Sequence, residues 1–311
     1  MSATVKRLMT IFGPQECGDD FIWDAHVHLW GRPYHSKDDP DLILLDEDMA
    51  VRELGLFYDR GGRVVVEFSP YDFMRDWKVL KAIAERTRVH ILAGSGFYRS
   101  PGLDVFLKQT KDVDWRERMI QEVMHGEPET GIKPSFLKWS TSFKEITAAE
   151  LASLDIVSDV HKKTGLPIAT HAQRGTMAME QVKLLKGKGI EPGKILIMHL
   201  DMLSDLTEKT YLEILKEGVN VSIDQLGKPK YGQDRKKITI LKNLCELGYA
   251  DKIQLATDIG RRSNFKCNGG SPGIEHIPAK IIPLLNEMKF SEGLIKQLVN
   301  KNPRDFYGIE A

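Results

Sequence analysis

Apolar and polar positions follow two rhythms along the chain. Short apolar runs with strand character alternate with longer segments whose apolar residues recur at helical spacing. After an opening stretch, Leu8–Phe12 and Gly13-Pro14, the first strand is expected over Phe21–His28, and a polar loop follows from Gly31 to Pro40. A helix from Glu47 to Tyr58 stops at Gly61-Gly62 and precedes a strand over Val64–Phe68. Trp77–Thr87 reads as a helix and Val89–Ala93 as the third strand, ending before Gly94.

The next segment, 97–130, is long for a connection and carries helical spacing only over Trp115–Met124. Its length makes it a candidate substrate-covering insertion between strands three and four, with Tyr98, Arg99 and Trp115 as possible contacts. Ser135–Trp139 is the fourth strand. Thr147-Ala-Ala-Glu150 has the form of a capping box, opening a helix that runs to Lys163 and stops at Gly165. Strands over Pro167–His171, Lys194–His199, Val219–Asp224 and Ile253–Asp258 then alternate with helices over Thr176–Lys186, Leu206–Lys216 and Arg235–Leu247. Helical segments over Ala279–Met288 and Glu292–Asn300 close the chain.

Strands separated by helices pair in parallel through right-handed crossovers, and this number of repeats predicts an α/β fold closed as a (β/α)8 TIM barrel. An open doubly wound sheet is the competing architecture, but no Gly-x-Gly-x-x-Gly turn follows an early strand. One barrel domain over 1–311, with residues 1–20 as an N-terminal extension, accounts for the pattern.

In such a barrel, chemistry gathers at the C-terminal ends of the strands. Strand one ends in His26-x-His28, strand four in Lys138, strand five in His171, strand six in His199 and strand eight in Asp258. Alternation along the first strand sets Asp24, His26 and His28 on one side. A single strand-end histidine is more often a packed, hydrogen-bonded residue than a ligand. Four of them with a lysine and an aspartate at one mouth form a metal-donor set. His35, His90, His125, His161 and His276 fall in loops, on a helix or at a strand start and read as solvated or locally hydrogen-bonded.

Charge and composition narrow the functional classes. Lysine plus arginine equals aspartate plus glutamate at 44 each among 311 residues, so no global field draws nucleic acid or an anionic membrane. Cys17, Cys245 and Cys267 show no ligand or disulfide spacing, and neither a signal-peptide core nor a membrane-length apolar run is present; a cytoplasmic location is the expectation. Cations are nevertheless concentrated after strands seven and eight, in Lys228, Lys230, Arg261, Arg262 and Lys266, with Tyr231 beside them. In barrels these loops often bind phosphate, which points to an anionic small-molecule substrate.

The pattern resembles the amidohydrolase superfamily and, within it, the phosphotriesterase-related family of binuclear metallohydrolases. The resemblance rests on Met9-Thr10-x-x-Gly13-Pro14, His26-x-His28, Gly131-Ile-x-Pro-Ser-Phe-Leu-Lys138, Thr170-His171, Met198-His199-Leu-Asp201, Thr257-Asp258 and Asn302-Pro303-x-x-Phe306. It implies two divalent metal ions, zinc first, with manganese, cobalt or iron as alternatives. His26, His28 and Asp258 would hold one, His171 and His199 the other, and Lys138, carboxylated on its amine, would bridge them together with hydroxide. Asp258 would also act catalytically, taking the proton of the attacking hydroxide and delivering it to the leaving group. Val27 stands where such sequences usually carry glutamate.

Lys228 or Lys230 with Tyr231, and Arg261-Arg262 through Gly269-Gly270-x-Pro272-Gly273, resemble the subgroup that opens lactones of phosphorylated furanose sugars. A lactonase acting on a phosphorylated sugar-acid 1,4-lactone is the leading expectation. A phosphotriesterase or acyl-homoserine lactonase of neutral esters, and a non-catalytic metal-stabilised binding protein, are the alternatives. A homodimer is the family's implication for assembly.

Overall fold

The computed structural model describes residues 6–34 and 38–310. His35, expected in a loop, and residues 1–5 of the expected N-terminal extension lie outside the described residues. The strands are β1 (Lys6–Thr10), β2 (Gly13–Glu16), β3 (Ile22–Val27), β4 (Gly62–Glu67), β5 (His90–Gly96), β6 (Phe136–Thr141), β7 (Ile168–Ala172), β8 (Ile195–Ile197), β9 (Asn220–Ile223), β10 (Ile253–Leu255) and β11 (Ile309–Glu310). β3 to β10 follow one another in sequence order in an eight-stranded sheet, with every ladder parallel. The expected α/β barrel is the observed one.

Its helices are α1 (Glu47–Asp59), α2 (Trp77–Glu85), α3 (Gly102–Gln109), α4 (Trp115–His125), α5 (Ala148–Thr164), α6 (Ala178–Gly187), α7 (Glu208–Leu215), α8 (Asp234–Glu246), α9 (Ile282–Glu287), α10 (Glu292–Lys296) and α11 (Asn302–Tyr307). At the start of α5 the capping box forms as the sequence requires: Thr147 accepts from the Glu150 amide while Glu150 accepts from the Thr147 amide, and Gly165 ends the helix at φ +74°. One helix, α3, lay unread in segment 97–130. It packs Leu103 and Phe106 with Phe97 and Met119 into the layer between sheet and helices. Trp115 joins that layer against Tyr71, Phe97 and Phe106, so it supports the barrel wall and does not cover the mouth.

Two kinds of apolar layer hold the barrel. Leu137, Trp139, Ile168, Ile197 and Val221 point outward against the helices, while Val64, Val66, Leu92, Phe136, Ala169 and Leu196 fill the interior. Trp23 and Tyr307 stack at 6.5 Å inside that interior, joined by Leu8 of β1. β1 pairs antiparallel with β2 and with β11, so the N-terminal extension and the C-terminus form a small separate sheet.

The third strand continues past Gly94 to Gly96, against expectation, and neighbouring β6 explains why. A Cβ on Gly94 would stand 2.3 Å from the Phe136 ring, and one on Gly96, at φ +141°, would stand 2.1 Å from the Lys138 carbonyl oxygen. Glycine here permits close backbone approach. Gly96→Ala is expected to lower stability by about 2–4 kcal/mol, read by urea denaturation; a loss below about 0.5 kcal/mol would contradict the packing argument.

Candidate metal centre

Alternation breaks where the first strand approaches the mouth. The β3–β4 register shifts between Asp24 and Val27, so Trp23 lies in the interior core and the His26 ring also packs, tilted, on interior Phe68, with centroids 4.0 Å apart. Asp24 therefore does not share the mouth with the histidines. Its carboxylate turns sideways to accept from the amides of His26 at 3.2 Å and Thr257 at 3.1 Å, and from the Thr257 hydroxyl. The Asp258 amide donates to the His26 carbonyl at 3.0 Å and the His28 amide to the Ile259 carbonyl at 2.6 Å. These bonds, with the Val27–Ile259 bridge, join the two edges of the sheet.

The expected donors come together. His26 Nε2 stands 3.4 Å and His28 Nε2 3.9 Å from Asp258 Oδ1. The His171 and His199 rings lie 4.4 Å apart, and the His26 ring is 5.3 Å from that of His199. His199 and Asp258 adopt left-handed backbone conformations, φ +67° and +48°, a strain characteristic of residues held for function. Lys138 sits lower than expected: β6 runs on to Thr141, and only its long side chain brings Nζ to the mouth, 2.9 Å from the Phe68 carbonyl.

Protein groups cap one nitrogen of three of the rings. His199 Nδ1 meets Asp224 at 2.9 Å, His28 Nδ1 meets Ser69 at 3.0 Å, with Ser69 donating in turn to Glu67, and His171 Nε2 meets Gln173 at 2.7 Å. Each cap leaves the other nitrogen available, the arrangement by which outer partners orient metal-ligating imidazoles. His26 has no hydrogen bond to either buried nitrogen. His26, His28 and Asp258 offer ligand atoms within 4.8 Å of one another, as do His26, His199 and Asp224. The donor set thus fits divalent cations that accept imidazole and carboxylate.

Electrostatics agree with that fit. Burial, reinforced by neighbouring cationic groups, holds His26, His28 and His171 well below the ordinary imidazole pKa, so these rings are neutral. Burial opposes ionisation of Asp258, yet the Lys228 ammonium beside it holds its carboxyl well below the usual range. Burial also brings the Lys138 amine down to about 8, against the pull of Asp72, Asp258 and Glu67.

Of the loop cations, Lys228, Lys230 and Arg261 line the mouth, with Tyr231, His28, His171 and Asp258. Arg262 and Lys266 do not: Lys266 pairs with buried Glu275, which turns it away from the cavity. Lys228 Nζ is directed to Asp258, 3.1 Å from Oδ2, and to Gln225 Oε1 at 3.0 Å. Arg261 is matched by Asp39 at 3.3 Å and Asp41 at 3.2 Å. Sequence reasoning passed over Asp224 and Gln225. Gln225 Nε2 bonds both Asp224, at 3.0 Å, and Asp258, at 2.7 Å, linking the two sides of the cluster. The available signal was position, since Asp224 closes the seventh expected strand as the ligands close theirs.

Barrel, donor set and charged mouth together define a metal-dependent hydrolase of the (β/α)8 kind. The chain belongs to the phosphotriesterase family, whose model matches residues 26–307, and that family comprises binuclear metal hydrolases. It is 28% identical over 329 residues to the phospho-furanose lactonase of Mycoplasmopsis agalactiae, covering 98% of this chain and 92% of that one. A lactonase structure from Listeria monocytogenes superposes with TM-score 0.88 at 26% identity, over 97% of this chain and 98% of that one. The phosphotriesterase homology protein of Escherichia coli, solved with phosphate in its active site, gives TM-score 0.85 at 26% identity, over 94% and 100% of the two chains. No helix among the described residues is long and apolar enough to cross a membrane.

Asp24→Ala is expected to cost about 2–4 kcal/mol, because it orphans two buried amides and a hydroxyl at the seam. Chemical denaturation of the metal-free protein checks this; a loss under about 1 kcal/mol would show that the seam does not depend on that carboxylate.

Proposed function

We propose that this hydrolase opens a sugar-acid lactone that carries a phosphate at the end remote from the ester, a phosphorylated furanose 1,4-lactone being the type. The observation that carries the reading is the shared cavity: Lys230, Tyr231 and Arg261 line the same mouth as His28, His171 and Asp258. A substrate bound there would have its ester at the donors and its anion at the basic wall. The names of the phospho-furanose lactonase and of the phosphate complex among the relatives support the same substrate class.

In this reading His26, His28 and Asp258 hold one divalent ion and His171 and His199 the other, with zinc favoured by the donor set. Bound there, the ions supply a nucleophilic water at neutral pH and polarise the scissile carbonyl. Asp258, ionised and beside Lys228, accepts the proton of the attacking water and returns it to the ring oxygen as the carbonyl carbon–oxygen bond breaks. Gln225 holds the Asp258 carboxylate in register from the other side. Lys230 and Tyr231 bind the distal phosphate and so orient the ester.

Lys138, once carboxylated, would be a further ligand to the ions. An ammonium has no lone pair for a metal, whereas a carbamate offers two oxygens. Carbon dioxide adds to the neutral amine with loss of a proton, and a buried amine with pKa about 8 is in that form in mildly alkaline solution. Below this pKa the amine is protonated and inert toward carbon dioxide. With dissolved carbon dioxide held equal, reconstitution with metal should therefore proceed roughly twentyfold faster at pH 8.5 than at pH 6.5. Equal rates would remove the neutral amine from the account. Lys138→Ala should lose at least about 100-fold in kcat, and retention of both ions with full activity would rule out that ligand.

The substrate assignment is tested by kcat/KM on paired lactones with and without the phosphate. A preference of about 100-fold or more for the phosphorylated member is expected. Lys230→Met and Tyr231→Phe should erode it mainly through KM. Equal values, or faster turnover of neutral lactones or phosphotriesters, would contradict it; two bound ions with no turnover of any ester would indicate a binding protein.

A further inference from the structure

Arg99 follows β5, while Lys230 and Tyr231 follow β9, and in the closed ring of eight strands these positions stand four strands apart, on opposite sides of the mouth. All three line the same cavity. Among the described residues, the mouth cations Lys228 and Arg261 have carboxylate partners, whereas Lys230 and Arg99 have none. Its Nη1 donates to the Ser100 carbonyl at 2.8 Å, and the Tyr98 hydroxyl stands beside the guanidinium, so the group is held in place. Its Nε is buried and has no hydrogen-bond partner.

The fixed guanidinium lies near the reacting end of the cavity. The Tyr98 ring packs 4.7 Å from that of His171, and the Arg99 charge is felt at His171. A guanidinium offers only donors, so whatever meets it must bring an accepting oxygen. In a lactone whose phosphate lies on the alcohol side, the far side of the carbonyl is the α-carbon. We propose that Arg99 is a specificity-determining residue, donating to an oxygen substituent on the carbon next to the scissile carbonyl, so that the preferred substrates are α-hydroxylated lactones. This rests on the lactonase reading above.

The test compares kcat/KM of the metal-loaded protein, Arg99→Met and Arg99→Lys on lactones matched except for the α-hydroxyl. The unaltered protein should favour the hydroxylated lactone by about 100-fold or more, since a site with a buried donor discriminates against the analogue that leaves it unpaired. Arg99→Met should bring the ratio within about threefold by losing activity on the hydroxylated lactone alone. Arg99→Lys, which keeps the charge without the Nε donor, should restore only part of it. A ratio near one in the unaltered protein overturns the assignment and needs no variant to fold. Equal loss on both lactones in Arg99→Met also overturns it, marking Arg99 as support for its loop. Failure of the lactonase reading itself looks different, with neither lactone opened while another ester class is.

Discussion

Closure of the barrel is the constraint on which everything else depends. An eight-stranded sheet has two edges to join, and here they meet through a buried carboxylate and the backbone of the donor residues. Asp24 gathers the His26 and Thr257 amides, Asp258 donates to His26, and His28 donates to Ile259. Sheet closure and assembly of the His26–His28–Asp258 donor cluster are consequently one event. The register shift in β3 serves the same end, since it lets Trp23 fill the barrel interior and His26 crown it.

Charge around this seam is compensated within the protein. Lys237, fully buried on α8, donates to the Gln225 carbonyl and lies 3.7 Å from Asp201, which accepts the Gln225 amide. Gln225 then carries its side chain to Asp224 and Asp258. One amide thus couples a helix on the barrel's exterior to both halves of the donor cluster. Buried charge is costly unless paired and hydrogen-bonded, and Asp201 shows the cost: despite Lys237 and the Gln225 amide, burial raises its carboxyl to about 7 and its second oxygen has no partner.

Much of this was legible in the chain. Apolar runs between helical segments identify the eight strands, and the Thr147–Glu150 capping box with Gly165 places α5 to within a residue at each end. Strand-end positions pointed to His26, His28, His171, His199 and Asp258, which the barrel topology brings to one mouth, while Lys138 lies within its strand. What escaped depends on partners distant in sequence. Gly94 reads as a strand stop, whereas the lack of a side chain at Gly94 and Gly96 is what admits Phe136 and the Lys138 backbone. Arg262 and Lys266 read as anion ligands, but a charge run does not disclose that Glu275 takes the lysine. The helix α3 begins at Gly102 just after Pro101, a pair that signals a turn, and its stability comes from burying Leu103 and Phe106.

The central claim is that closure of this barrel builds a site for two ions and not one. Equilibrium dialysis of the full chain against zinc and bicarbonate, followed by elemental analysis, tests it most directly. About two ions per chain are expected at saturation. A wild-type protein that saturates at one ion, or binds none, would contradict the account.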